Sequence, residues 1–180
     1  MTDTQKQPGL TAIQQRFILH WGEMGARWGI NRTVAQIHAL LYLSPRPLHA
    51  EEIATTLAVA RSNVSNSLRE LQGWGIVRVT HILGDRRDHF ENLKDVWEMF
   101  RIVVDERKKR EADPVLTMLR DAAAEAKKPG AADPYTRERL NDMLQFFEQV
   151  TAWVEQTRKL PTPAIVRMVK AGDRIARMFG

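Results

Sequence analysis

The most chemically specific pattern in the chain lies in SNVSNSLRE, residues 62–70. Val64 and Leu68 are four apart, as the inward stripe of a helix is. With Val64 inward and about 100° per residue, Ser62, Asn66, Arg69 and Gly73 point the other way, and Asn63 and Ser65 flank that strip. Small hydroxyl and amide groups joined by one guanidinium suit a helix that enters a DNA major groove and reads base edges. Acidic or bulky side chains would repel phosphate or block entry. A second group, Arg86 and Arg87, sits in the turn-like Gly84-Asp85-Arg86-Arg87 and offers two long cations. Each group has a plainer reading: a solvated helix face for the first, a charged turn that keeps a hairpin edge soluble for the second.

These side chains need elements to aim them. From Ala50 to Val77 the chain reads as two helices joined by a corner at Leu57-Ala58-Val59-Ala60. Ile53 and Leu57 form the stripe of the first helix; Val64, Leu68 and Leu71 form that of the second. Helices so short cannot bury enough surface alone, so they must pack on each other and on a third element. Trp74-Gly75 ends the pair, because glycine takes the left-handed conformation that closes a helix. Ile76–Leu83 reads as a strand, Gly84–Arg87 as a turn and Asp88–Glu91 as the returning strand. A two-stranded hairpin directly after a helix-turn-helix is a wing. Arg78 is open to two readings, a phosphate contact or a cross-strand partner of Asp88 or Glu91.

Composition narrows the classes. The 180 residues are enough for a buried core, and 43% hydrophobic with 27% charged residues describes a globular chain. There is no cysteine, which excludes disulfides, thiolate metal sites and a cysteine nucleophile. No apolar run approaches the roughly 18 residues of a membrane span, and the N-terminus lacks an apolar signal core, so the expectation is a cytoplasmic protein with no membrane partner. The net charge of +5 leans towards an anionic partner. Yet residues 46–90 hold six arginines against five acids, so position must matter more than total charge.

The remaining chain is helical by pattern. Residues 1–10 read as a mobile lead. A helix over 11–27 carries Ile13, Phe17, His20, Trp21, Met24 and Trp28 on one face, and a second over 33–43 carries Val34, Ile37, Leu40 and Leu41. Pro45 and Pro47 force an extended connector. After Asn92, Val96, Trp97, Phe100, Val103 and Val104 mark a helix that Asp113-Pro114 interrupts, and Val115, Leu116 and Leu119 start another. Residues 127–132 are a loop. From Pro134 to Leu160 the positions Leu140, Met143, Leu144, Phe147, Val150 and Val154 form a helix-pairing seam, for this chain or a second copy. Pro161 and Pro163 break it, and a last helix over 164–179 should bury Ile165, Met168, Val169, Ile175 and Phe179. Its basic face, Arg167, Lys170, Arg174 and Arg177, reads as solvated, or as a surface for phosphate or a partner.

With helix, helix, helix-turn-helix, wing and long helix in that order, the chain resembles winged-helix transcriptional regulators of the GbsR/MarR-like type. The resemblance rests on residues 25–32 (GARWGINR), 39–45 (ALLYLSP), Asn63-Val64-Ser65, Leu68-Arg69-Glu70-Leu71, Trp74-Gly75-Ile76-Val77 and Gly84-Asp85-Arg86-Arg87, about half the chain. It implies a mainly α fold with a two-stranded wing and terminal dimerisation helices. Residues 1–32 would contribute to dimerisation, 33–92 would bind double-stranded DNA, and 93–180 would dimerise and sense a small molecule. It also implies a cytoplasmic homodimeric repressor on a palindromic operator, with no cofactor, and relatives that govern compatible-solute or choline metabolism. By position, Ser62, Asn63, Ser65, Asn66 and Arg69 would contact DNA from the recognition helix. Arg86 and Arg87 would reach a minor groove, Asp85 orienting one guanidinium. The family's capping serine is Ala60 here, which cannot accept that bond; Ser62 is open to two readings, a substitute cap or a DNA contact.

Two further groups of side chains invite a chemical reading. Trp21, Trp28, Trp97 and Trp153 lie outside the helix-turn-helix and would suit an aromatic cage for a quaternary ammonium such as glycine betaine or choline, although large aromatics at helical spacing usually serve as core. The five histidines, His20, His38, His49, His81 and His89, show no metal-ligand spacing. No nucleophile elbow, phosphate loop or dinucleotide fingerprint is present, so no enzyme is expected. The alternative from a different class is a winged helix that binds protein rather than DNA.

Overall fold

Helix α1, Ala12–Arg27, opens with a reciprocal cap in which Thr11 accepts from the Gln14 N–H and the Gln14 side chain accepts from the Thr11 N–H. The computed structural model describes residues 9–179, and the side chains of all but 170 and 173–179. The expected mobile lead therefore falls largely outside the described residues. The buried line of α1 is Ile18, Gly22 and Gly25, packed on α2, Arg32–Leu43. That corrects the expected face: Phe17, Trp21 and Met24 are half-buried, but Ile13, His20 and Trp28 are exposed. The helices come so close that a Cβ on Gly25 would stand 2.6 Å from the Ala35 Cβ.

Helix α2 buries Val34, Ile37, Leu40 and Leu41 as its spacing requires. Its last carbonyls are met by one cation: Lys94 Nζ donates to Leu41, Tyr42 and Ser44 at 3.1, 3.0 and 2.9 Å. The Pro45–Pro47 connector leads into a two-residue strand, β1, Leu48–His49. Helix α3, Ala50–Leu57, and helix α4, Arg61–Gly73, follow. Their corner is made by Ala58 in the left-handed region, at φ 52°. Ile37, Leu41, Ile53, Val64, Leu68, Leu71 and Ile76 are all at most 2% exposed, each worth roughly 1.5–3 kcal/mol relative to an exposed side chain.

Gly75, at φ +77°, turns the chain into β2, Val77–Thr80, which pairs antiparallel with β3, His89–Asn92. The ladder is shorter than the apolar run: Ile82 and Leu83 lie beyond it, in the turn. β1 adds a third strand on the other side of β3, in the order β1-β3-β2. The expected two-stranded wing is thus the outer part of a three-stranded sheet, which ties it to the chain entering α3.

Helix α5, Val96–Arg107, starts under the Asp95 carboxylate, which accepts from the Trp97 and Glu98 N–H groups. Its buried residue is Met99; Val96 and Phe100, expected inward, are exposed. The chain divides into two compact units, the first running to Ile102 and the second starting at Val103.

In the second unit α5 does not stop. It runs through a π-helical turn, Lys108–Ala112, into α6, Asp113–Glu125. Pro114 was expected to interrupt the helix, since it lacks an N–H and crowds the carbonyl four residues back. The wider turn just before it absorbs both defects. Leu116, Leu119, Ala123 and Ala126 are buried. α7, Pro134–Arg158, is capped by Asp133 and packs on α6. Lys108 lies 2.7 Å from Asp113 and 3.3 Å from Glu155, and Arg158 lies 3.0 Å from Asp105. α7 ends at Arg158, ahead of Pro161 as expected, and α8, Thr162–Phe179, starts two residues earlier than expected with Pro163 in its first turn. Of its expected inward residues, Ile165 is half-buried, Met168 and Val169 are exposed, and Ile175 and Phe179 lie outside the described side chains. Lys170, Arg174 and Arg177 of the basic face lie outside them too.

Candidate nucleic-acid interface

Burial of Val64, Ser67, Leu68 and Leu71 fixes the rotation of α4 and leaves Ser62, Asn63, Ser65, Asn66 and Arg69 exposed on its other side. Arg69 Nη1 donates to Asn66 Oδ1 at 3.2 Å, so the two side chains form one unit. Ala60 stands at the N-cap and no side chain caps the helix. Ser62 does not replace the missing serine, which leaves it in the exposed strip. Two further α4 side chains, Arg61 and Gln72, join Ser65, Leu68 and Arg69 along a hollow of about 320 Å³. Its far wall is Ala50, Glu51, Arg87, Asp88 and Phe90. The signal for Arg61 and Gln72 was available: they continue the line of Ser65 by four residues before and seven after.

The wing arginines have different roles. Asp85 chelates Arg87, accepting from Nε at 2.9 Å and from Nη2 at 2.5 Å, and also takes the Arg87 backbone N–H at 3.0 Å. The Arg87 side chain and N–H hold that carboxyl well below the usual carboxylate range. Arg87 Nη1 then reaches His49 Nε2 at 2.9 Å. A guanidinium can only donate, so Nε2 is the acceptor in that contact; Nδ1 caps α3, accepting from the Glu52 N–H at 3.3 Å, and lies 3.0 Å from Glu51 Oε2. His89, buried below, lies edge-on to His49 with ring centroids 5.6 Å apart. Arg87 is therefore a brace between the wing and the start of α3. Arg86 beside it is exposed.

Of the six arginines in residues 46–90, four have carboxylate partners: Arg46 with Glu52, Arg61 with Glu51, Arg78 with Glu91 and Arg87 with Asp85. The register Arg78↔Glu91 decides the question left open for Arg78. Arg69 and Arg86 have no carboxylate partner among the described residues. One lies on α4 and the other in the wing.

Behind this surface sits a buried polar group. Trp21 Nε1 donates to His38 Nδ1 at 3.1 Å, which leaves the His38 proton on Nε2, 3.4 Å from Met99 Sδ. Burial pulls the His38 pKa down to about 4. The Asn92 amide also donates to Met99 Sδ, at 3.4 Å.

The tryptophans are placed as follows. Trp21 stacks on Phe17 and uses its N–H on His38; Trp97 meets Phe100 edge-on; Trp28 and Trp153 are exposed, Trp153 in the second unit. Among the described residues no three His, Asp or Glu side chains cluster as metal ligands would, and no helix is long and apolar enough to cross a membrane.

The comparisons coincide with this geometry. Residues 28–88, from the end of α1 to the wing turn, match the sequence model of the MarR family. The HTH-type transcriptional repressor GbsR of Bacillus subtilis (strain 168) is 23% identical over 123 residues, 68% of each chain. A solved structure described as a transcriptional regulator superposes with a TM-score of 0.58 at 21% identity, covering 81% of this chain and 95% of that one. The fold is that of the solved regulator, and residues 28–88 of the chain resemble the MarR family.

Proposed function

We propose that the chain is a cytoplasmic transcriptional repressor that binds a palindromic operator as a homodimer. The observation that carries DNA binding is the pairing of an exposed, uncapped polar helix with a braced wing. Ser62, Asn63, Ser65, Asn66 and Arg69 read bases in a major groove, and Arg86 enters the adjoining minor groove. Arg87 holds the wing at the height Arg86 needs. The repressor reading is taken from the B. subtilis relative, which carries that word in its name.

Dimerisation is supported by α7. Of the expected seam, Leu140, Leu144, Phe147 and Val154 are half-buried, while Met143, Phe146, Val150 and Trp153 are 43–61% exposed and recur at steps of three and four, the spacing of a helix-pairing seam. A small-molecule effector of the quaternary ammonium class remains part of the proposal through Trp21, Trp28 and Trp97 of the first unit. Titration with betaine or choline, following tryptophan fluorescence and operator affinity, tests that part.

Selection of bound duplexes from a random pool tests the whole. The expected product is a palindrome with half-sites about one helical turn apart, bound less tightly as salt rises. Failure to enrich any sequence, with binding to a protein partner that is indifferent to salt, would instead favour a protein-interaction module.

A further inference from the structure

The apolar tip of the wing has no role in that reading so far. Leu83 is the most exposed large apolar side chain among the described residues, and Ile82 beside it is 43% exposed. Hairpin tips are normally built from glycine, asparagine, aspartate or proline. Here the Asp85 N–H donates to the Ile82 carbonyl at 3.0 Å, and Gly84 takes φ +87° at the third position. That places Leu83 at the second position of a closed turn, projecting from the end of the hairpin.

This tip is held firmly. The turn bond fixes Ile82 to Asp85, Asp85 chelates Arg87, and Arg87 is joined to His49. The surroundings also suit an anionic groove. The Asp85 charge is taken up by Arg87, so it does not face outward alone, and Arg86 is exposed three residues from Leu83. The Ile82–Asp85 turn at the end of the 81–88 connection is narrower than a helix and suits a minor groove about 6 Å wide.

We infer that Leu83 is an apolar wedge that enters the minor groove under the wing and partly unstacks one base step, with Arg86 beside it in the same groove. The step it opens is a pyrimidine–purine step, which unstacks most easily, and the duplex bends away from the wing towards the major groove. Sequence preference then arises at a position where no hydrogen bond reads a base. This inference rests on the DNA-binding reading above.

The test uses the full chain and its selected duplex. 2-Aminopurine is placed at successive positions under the wing, and dyes on the duplex ends report bending. Expected for the natural chain is a fluorescence rise at one step and a shorter end-to-end distance. Leu83→Ala should abolish both and weaken binding about tenfold, while Leu83→Met keeps them. Because Leu83 is fully exposed, both variants should unfold at the natural temperature, which circular dichroism checks. If the natural chain binds the duplex with no fluorescence or distance change, or if Leu83→Ala binds and bends like it, the wedge is wrong and DNA binding stands. If the natural chain binds no duplex at all, the functional reading itself falls, and the wedge with it.

Discussion

Arg87 Nη1 lies 2.9 Å from His49 Nε2, so a residue of the wing turn is bonded to the residue that begins α3, 38 positions earlier in the chain. The bond needs an unprotonated Nε2, and the neighbouring Asp85 chelate holds the guanidinium in place to give it. Replacing His49 by asparagine separates its two positions in the fold. Asparagine accepts from the Glu52 N–H as a true N-cap but cannot reach Arg87, so stability should change by less than about 1 kcal/mol. Amide exchange at Arg86 and Arg87 should quicken, and operator affinity should fall about three- to tenfold. Unchanged exchange in the wing would show that the bond braces nothing.

The arginine pairings divide the cations by their expected effect. Arg69→Ala and Arg86→Ala each remove an unpaired cation, and each should lower the slope of log affinity against log salt by about one. Arg78→Ala opens an exposed pair with Glu91 and should leave both slope and stability nearly unchanged, by less than about 1 kcal/mol. Binding isotherms at four salt concentrations distinguish these cases. Equal slopes for all three variants would refute the assignment.

Ala60 leaves the first N–H groups of α4 without a side-chain acceptor. Ala60→Ser should supply one and raise stability by about 1 kcal/mol, visible as a rise in Tm of about 2–4 °C. A Tm that does not move would mean that serine finds no N–H within reach at this corner.

Much of the fold was legible because it was written locally. The stripes of α2, α3 and α4, the glycine after Trp74 and the rotation of Asn66 and Arg69 away from Val64 follow from spacing alone. What was missed depends on partners far along the chain. The His49–Arg87 bond has no local spacing, and β1 is two residues long, visible only through its pairing with β3. Pro114 obeys the rule that proline opposes a helix, yet a π-turn immediately upstream satisfies the rule without a break. The inward face of α1 was misplaced because its closest contacts are made by Gly22 and Gly25, which carry no apolar signal.

Acid should weaken the first unit through His38. Its pKa is about 4 in the folded chain against an ordinary 6.5, so between those values the unfolded chain binds a proton that the folded chain does not. Stability is fully present above about pH 6.5 and is lost as pH falls towards 4, by at most about 3 kcal/mol. His38→Gln keeps an acceptor for Trp21 without the titration. The natural chain and this variant should therefore diverge in urea unfolding between pH 6.5 and 4 and run parallel above it. Parallel curves throughout would remove His38 from the account.

Gly25 offers the sharpest conflict between a local rule and packing. In an exposed helix, replacing glycine by alanine adds about 1 kcal/mol of stability. At Gly25 the new methyl would lie 2.6 Å from the Ala35 Cβ, on a neighbouring helix with no flexible end to move aside. Gly22 is as close to Gln36, but there the contact is with a flexible side chain. Gly25→Ala should therefore cost about 1–3 kcal/mol, the price of overpacking, while Gly22→Ala should cost less. Gly73, whose Cβ would meet nothing within 4 Å, serves as the control where the helix rule alone applies. If Gly25→Ala raised the unfolding temperature as Gly73→Ala should, the close approach of α1 and α2 would be wrong.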